Sequence, residues 1–196
     1  MSGVSACTGD TMELWTAQQK VVLDAVERDG VSYVRSAYID QKYEDTAWIF
    51  RTAYREFGRL MERRVKKPQE AESPIWLFAD RRWVYASPGS FLLRLNVPRG
   101  ELVTFDLRDW NRILNLKPLG TEEEQSRFDR ELTRQGVACS SDLFQTPFYP
   151  VLKRQVTDSW RQLFDREPEE AYLQAAVWIL RKEWILSAEE VTGRAE

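Results

Sequence analysis

Apolar residues recur along the chain at two spacings, one typical of helices and the other typical of strands. Across residues 46–65, six positions fall three or four residues apart and would share one helix face: Phe50, Ala53, Tyr54, Phe57, Leu60 and Met61. A second stripe with helical spacing follows Pro150: Leu152, Val156, Trp160 and Leu163. Strict alternation predicts a strand at Phe91, Leu93, Leu95 and Val97.

Capping residues indicate where further helices begin and end. Thr16 with Gln19, and Thr121 with Glu124, have the three-residue spacing of a capping box. The first pair predicts a helix that ends at Gly30, a residue type that commonly stops helices.

The remaining apolar segments are short and predict strands. They lie at residues 13–15, 31–36, 74–79, 83–86, 102–105, 171–180 and 183–191. Arg81 and Arg82 fall between two of these segments, in a predicted hairpin turn. The middle connections are too short for parallel crossovers, so we expect antiparallel pairing.

Helices and strands therefore alternate irregularly, and hairpins are frequent. This order predicts an α+β fold: a single domain with an antiparallel or mixed sheet packed against about three main helices. We expect residues 1–11 to form a disordered leader, because they are small, polar and aperiodic, and residues 12–196 to form the domain. Met12 stands directly before the first patterned segment and is a candidate start.

The amino-acid composition mainly excludes several kinds of catalytic site and partner. The chain of 196 residues contains no histidine, which removes Ser-His-Asp triads, His-ligated zinc and imidazole acid–base catalysis. Two cysteines, Cys7 and Cys139, form no disulfide framework, so we expect a reducing, cytoplasmic setting. A net charge of −3 disfavours nucleic acid as a partner, and no apolar run approaches the length of a membrane span.

Asp106 and Asp109 follow an apolar strand and precede Trp110 in the stretch ELVTFDLRDWNRILN. A carboxylate at such a junction accepts backbone N–H bonds from the first helical turn and so serves as a helix cap. The alternatives are contact with a ligand or a cation site. Further acidic ligands are not evident nearby, so we predict no metal.

Basic residues cluster at 63–67 and at Arg81 and Arg82. Basic residues are typical of a solvated helix end and of a turn, which explains both clusters structurally. The functional alternative is that they bind phosphate. Neither cluster lies in a glycine-rich loop, which argues against Rossmann and P-loop nucleotide sites.

The eight tryptophans have two explanations: packing in the core, or an aromatic wall around a flat ligand. Gln174 lies within an apolar strand, where its amide must find partners, either in the backbone or on a ligand. Gln18 raises the same question near the start of the chain.

Six segments spread from Leu14 to about Val191 resemble a bacterial family catalogued as domain of unknown function 3841. They are LWTAQ, PIWLF, LLRLNVP, FDLRDWNRILN, SWRQLFD and LQAAVW. The family's acidic-aromatic motif maps onto Asp106 and Trp110, and many members carry histidine where this chain has Asn111. The resemblance implies no established activity.

The order of elements is also similar to ADP-ribosyltransferase-like folds. Those folds bind NAD in a cleft between two small sheets and place a glutamate in the late strands. The matching position here holds Gln174, and Glu183 lies in a turn, so the resemblance leaves open whether this chain is an enzyme.

We therefore expect a small-ligand domain, with NAD or a nucleotide as the candidate ligand. Seven residues are candidates to line its site: Trp15, Gln18, Trp76, Arg82, Asp106, Trp110 and Gln174. A non-enzymatic module that binds a protein partner through exposed aromatic residues is the alternative. Weak nucleic-acid binding through the basic clusters is a third candidate.

Overall fold

The computed structural model describes residues 10–34 and 47–192. Their strands are β1 (Thr11–Gln19), β2 (Val31–Ser32), β3 (Ile75–Phe78), β4 (Ser90–Pro98), β5 (Leu102–Asp106), β6 (Leu173–Val177), β7 (Leu180–Arg181) and β8 (Ile185–Glu190). Their α-helices are α1 (Lys20–Asp29), α2 (Ala47–Met61), α3 (Leu107–Leu114), α4 (Glu122–Arg134), α5 (Ser140–Gln145) and α6 (Pro150–Ser159).

Six strands form one sheet in the order β5–β6–β3–β1–β4–β8, and β2 pairs separately with β7. Every neighbouring pair is antiparallel. The predicted α+β class with an antiparallel sheet is confirmed.

The sheet has an apolar cluster on each face. On one face, side chains from β5, β6 and β3 pack with residues of α2 to α6 around Phe57, Phe105 and Trp160. On the other face, β1, β3 and β4 pack with Val26 of α1 and with Trp184. The predicted alternation in β4 is confirmed, because Leu93, Leu95 and Val97 all join this second cluster.

Several helix ends form as the sequence predicts. Thr121 and Glu124 make a complete capping box at the start of α4, and Pro150 occupies the first turn of α6. Gly30 ends α1 in the left-handed conformation, with φ of 77°. Each of these signals depends on backbone groups within a few residues, and at these three ends the tertiary packing agrees with them.

The predicted capping box at Thr16 and Gln19 is wrong. Thr16 is buried inside β1, a strand of nine residues, and the helix starts only at Lys20. All nine residues of β1 pair with β4, and this long ladder replaces the short strand and early helix that the local pattern favours.

The predicted strand at residues 83–86 is also wrong. The chain instead forms a 3₁₀ turn at Arg81–Trp83, and residues 84–86 belong to no strand. Asp80 stabilises the turn, because its side chain accepts a bond of 2.8 Å from the backbone N–H of Arg82. Most of the predicted leader, residues 1–9, lies outside the described residues, and Thr11 already belongs to β1.

Candidate functional site

Three strand ends meet at one edge of the sheet. Because β5, β6 and β3 are antiparallel neighbours, the C-terminal ends of β5 and β3 lie beside the N-terminal end of β6. The last cross-strand pairs there are Asp106 with Leu173 and Phe78 with Gln174. The segments that continue from these strands bring several polar and aromatic side chains together.

Asp106 caps α3 and binds an arginine at the same time. Its carboxylate accepts a bond of 2.8 Å from the backbone N–H of Arg108, which confirms the predicted cap. The Arg108 guanidinium also donates a hydrogen bond to each carboxylate oxygen, from Nε to Oδ1 at 2.9 Å and from Nη2 to Oδ2 at 2.7 Å. Burial tends to raise the pKa of Asp106, but the hydrogen bonds and charge of Arg108 outweigh burial and leave this pKa below its ordinary value.

Arg108 makes two further contacts at the strand ends. It pairs with Glu169 at 2.8 Å, and its guanidinium carbon lies 4.1 Å from the ring centroid of Tyr172. Hydrogen bonds to Asp106 and then to Glu169 raise the pKa of Arg108 above its ordinary value. The arginine therefore remains charged and holds the Tyr172 ring in a defined place.

A shallow groove of about 350 Å³ opens beside this ring. It is lined by Arg82, Trp83, Ala171 and Tyr172. The Trp83 indole donates a hydrogen bond of 2.9 Å to the carbonyl of Ala171, and its ring centroid lies 5.9 Å from that of Tyr172. Trp83 is nevertheless 44% exposed, so an aromatic face borders open solvent here.

Trp76 and Trp110, two other predicted site residues, belong to the core behind this edge. Their rings stack with centroids 4.8 Å apart and planes inclined by 27°. Phe57 packs edge-on against both, at 4.7 and 5.0 Å. Trp110 is buried and Trp76 packs against the same core, so the packing explanation that the sequence left open applies to both rings.

Gln174 is the unusual polar residue of the site. It is 2% exposed and stands between Phe78 and Phe105 across the sheet. Its Oε1 is buried and has no hydrogen-bond partner, which distinguishes it from the other buried side-chain polar atoms of the described residues. An unpartnered buried acceptor costs about 1–3 kcal/mol of folding free energy.

Asp109 lies in the first turn of α3, and its carboxylate is 2.7 Å from Nε of Arg166. Burial raises the pKa of Asp109, and the nearby charge of Asp106 adds to this effect. Attraction to Arg166 opposes the rise only in part. The two aspartates of the motif therefore have pKa values shifted in opposite directions.

Trp15 lies in the same cross-strand row as Gln174, since Phe78 stands between them. Gln18 lies three residues farther along β1. Trp15 pairs with Phe78 across β1 and β3, and the guanidinium carbons of Arg81 and Arg94 lie 5.4 and 5.9 Å from its ring. Gln18 stands opposite Phe91 in β4 and donates a hydrogen bond of 2.9 Å to Thr16.

A family model described as a domain of unknown function, DUF3841, matches residues 13–186. The chain belongs to this family. The match includes most of β1, all of β2 to β7, all the helices given above and every residue that lines the groove. No curated protein and no solved structure matches this DUF3841 chain.

Four residues of the DUF3841 groove region escaped prediction: Trp83, Arg108, Glu169 and Tyr172. Trp83 was assigned to a strand, although the preceding RR pair and Asp80 are typical of a polar turn. Arg108 carried a signal in its spacing, because an arginine two residues after a capping aspartate can fold back onto that carboxylate. Glu169 and Tyr172 carried none, since only tertiary packing brings them to Arg108.

The described part of the DUF3841 chain contains neither a metal-binding cluster nor a membrane-spanning helix. Residues 10–34 and 47–192 contain no group of three or more acidic, histidine or cysteine side chains placed to hold a metal. None of their helices has both the length and the apolar composition to cross a bilayer. Aromatic faces and paired arginines are what this region offers.

Proposed function

We propose that this DUF3841 chain binds a small ligand whose flat aromatic ring lies against Trp83 and Tyr172. The observation that carries the proposal is the groove itself, where a partly exposed indole lies beside a tyrosine ring fixed by Arg108. Flat rings gain free energy by stacking on such side chains, and the gain is largest where the protein rings are already held in place.

The positive charge of Arg82 indicates which chemical class of ligand suits the groove. Arg82 lines the groove with 83% of its side chain exposed, and its guanidinium is paired with Asp80 at the mouth of the groove. A guanidinium can bind a phosphate through two parallel hydrogen bonds. A ring that carries a phosphate, as in nucleotides and NAD, therefore suits this groove. NAD is also the candidate ligand that we expected from the sequence.

The experiment is a ligand-observed saturation-transfer NMR titration with NAD, AMP and nicotinamide. We expect at least one of these probes to bind the wild type, and we expect Trp83→Ala to weaken that binding about tenfold or more, given about 1–3 kcal/mol for each stacked ring. Tyr85→Ala is the matched control, because Tyr85 lies two residues away, is 90% exposed and does not line the groove.

The outcomes separate cleanly. Loss of binding in Trp83→Ala with retention in Tyr85→Ala supports the groove. Equal binding by both variants, or no binding of any probe to the wild type, overturns the proposal.

A second candidate is a module that binds a protein through the same turn. It is favoured by one observation: the exposed residues Arg81, Arg82, Trp83 and Tyr85 are of the types that dominate interface hot spots. Self-association is its simplest form, and light scattering over a range of concentrations tests it. A dimer abolished by Tyr85→Ala would favour this module, and a monomer at every concentration would count against it.

A further inference from the structure

We infer that Gln174 is a specificity-determining residue, whose Oε1 accepts a hydrogen bond from an N–H group on the ligand ring. The inference rests on the proposed function and names the ligand more closely: a heteroaromatic ring that carries an amino or amide donor. Nucleobases and carboxamide-bearing rings belong to this class.

The position of Gln174 connects it to the groove. Ala171 and Tyr172 line the groove, and Gln174 follows Tyr172 by two residues, which span at most about 7 Å of chain. The final backbone bond between β3 and β6 joins the N–H of Ala79 to the carbonyl of Leu173 at 3.2 Å. Gln174 therefore lies in the last row of paired residues that extends across β5, β6 and β3.

The chemistry of its surroundings leaves the oxygen available. The cross-strand neighbours Phe78 and Phe105 offer only apolar rings, and no described polar group bonds to Oε1. A methionine or leucine would fill an apolar position without leaving an amide oxygen unpaired. A buried acceptor at this position is best explained by a donor that arrives with the ligand.

Tyr172 is the groove residue that lies nearest to Gln174 along the chain. Because Oε1 is closed from solvent, a ligand donor reaches it only if a neighbouring side chain moves aside. Tyr172 is partly exposed and is held from its surface side by Arg108 and Trp83. A ligand ring that inserts beside Trp83 would replace the contact between Trp83 and Tyr172. Tyr172 could then move and expose Oε1 of Gln174.

The test uses pairs of probes that differ in one donor. They are adenosine with purine riboside, cytidine with 2-pyrimidinone riboside, and nicotinamide with methyl nicotinate. We expect the donor-bearing member of at least one pair to bind the wild type about tenfold more tightly, as one additional hydrogen bond to a buried acceptor implies. Gln174→Met should remove this preference.

The thermal midpoint Tm gives a second readout that a merely structural role would not produce. Gln174→Met should leave Tm unchanged or raise it, because the variant removes an unpaired polar atom. The control is Gln125→Met, since Nε2 of Gln125 donates to the carbonyl of Gly120 at 2.8 Å. This control should lower Tm by about 2–4 °C and should keep the probe preference.

The possible outcomes distinguish failure of the proposed function from failure of this inference alone. No binding by any probe overturns the proposed function and this inference together. Binding that depends on Trp83 but shows no donor preference, or a preference that survives in Gln174→Met, overturns the inference alone. A clear fall in Tm for Gln174→Met also contradicts it, because the amide would then be partnered.

Discussion

The guanidinium of Arg108 stacks on the ring of Tyr172, with its carbon 4.1 Å from the ring centroid. The same guanidinium binds both oxygens of Asp106, the cap of α3. One side chain thus joins the end of β5 to the segment that enters β6, and fixes one wall of the groove. The residues that cap α3 therefore also position Tyr172, one of the residues that line the groove.

Replacing Arg108 should test this link. We expect Arg108→Gln to lower the free energy of unfolding measurably, because the buried carboxylate of Asp106 loses its cation. The control is Arg134→Gln, which removes an ion pair with Glu131 that is largely exposed on the arginine side, and this change should lower the free energy of unfolding less. Urea denaturation measures both, and equal costs would contradict the account.

The lowered pKa of Asp106 predicts how stability depends on pH. A carboxyl whose pKa is lower in the folded state stabilises the fold above its unfolded pKa, about 3.9, and this contribution disappears as pH falls through the folded pKa. Asp106→Asn should therefore be less stable than the wild type at pH 7, and the difference should shrink below about pH 4. Unfolding curves at pH 7, 5, 4 and 3 test this, and a constant difference would refute it.

Asp109 should show the opposite slope. Its pKa is raised in the folded state, so its ionisation opposes folding, and stability falls as pH rises from about 4 through the folded pKa. Relative to the wild type, Asp109→Asn should therefore gain stability as pH rises through this window and level off above it. The same unfolding series measures the effect. A relative loss with rising pH would show that the Arg166 ion pair dominates instead.

The aromatic cluster behind the groove predicts a large packing effect. Trp110→Ala should lower the free energy of unfolding by about 3–5 kcal/mol, because the ring is buried and packs on Trp76 and Phe57. Trp83→Ala should cost far less, since this ring is partly exposed. Thermal and urea unfolding of the two variants compare them. Similar costs would mean that Trp83 has a structural role.

Most of the local capping signals in the sequence were reliable, and the box predicted at Thr16 and Gln19 was the exception. The Asp106 cap, the box at Thr121 and Glu124, and the stop at Gly30 all depend on backbone groups within a few residues, and all three form. The fold class followed from short connections between strands. The core stripe of α2 also formed, with Ala53, Phe57, Leu60 and Met61 buried.

Non-local pairing accounts for what the sequence did not reveal. The local pattern ended β1 at residue 15, but the ladder with β4 continues to Gln19. The short helix α5 lacks a long apolar stripe and was not predicted. Of the candidate site residues, Arg82 lines the groove, and Asp106 is connected to it through Arg108 and Tyr172. Tyr172 reaches the same edge through contacts that no spacing encodes.

The most direct test of the groove is the set of tryptophan indole N–H signals in a ¹H–¹⁵N NMR spectrum, recorded during a titration with the best-binding probe. Comparison with the spectrum of Trp83→Phe identifies the Trp83 signal. We predict that this signal shifts most, because the Trp83 ring lines the groove while Trp110 and Trp76 pack in the core behind it. A titration that leaves the Trp83 signal in place, or that moves the signals of Trp76 and Trp110 instead, would contradict the account.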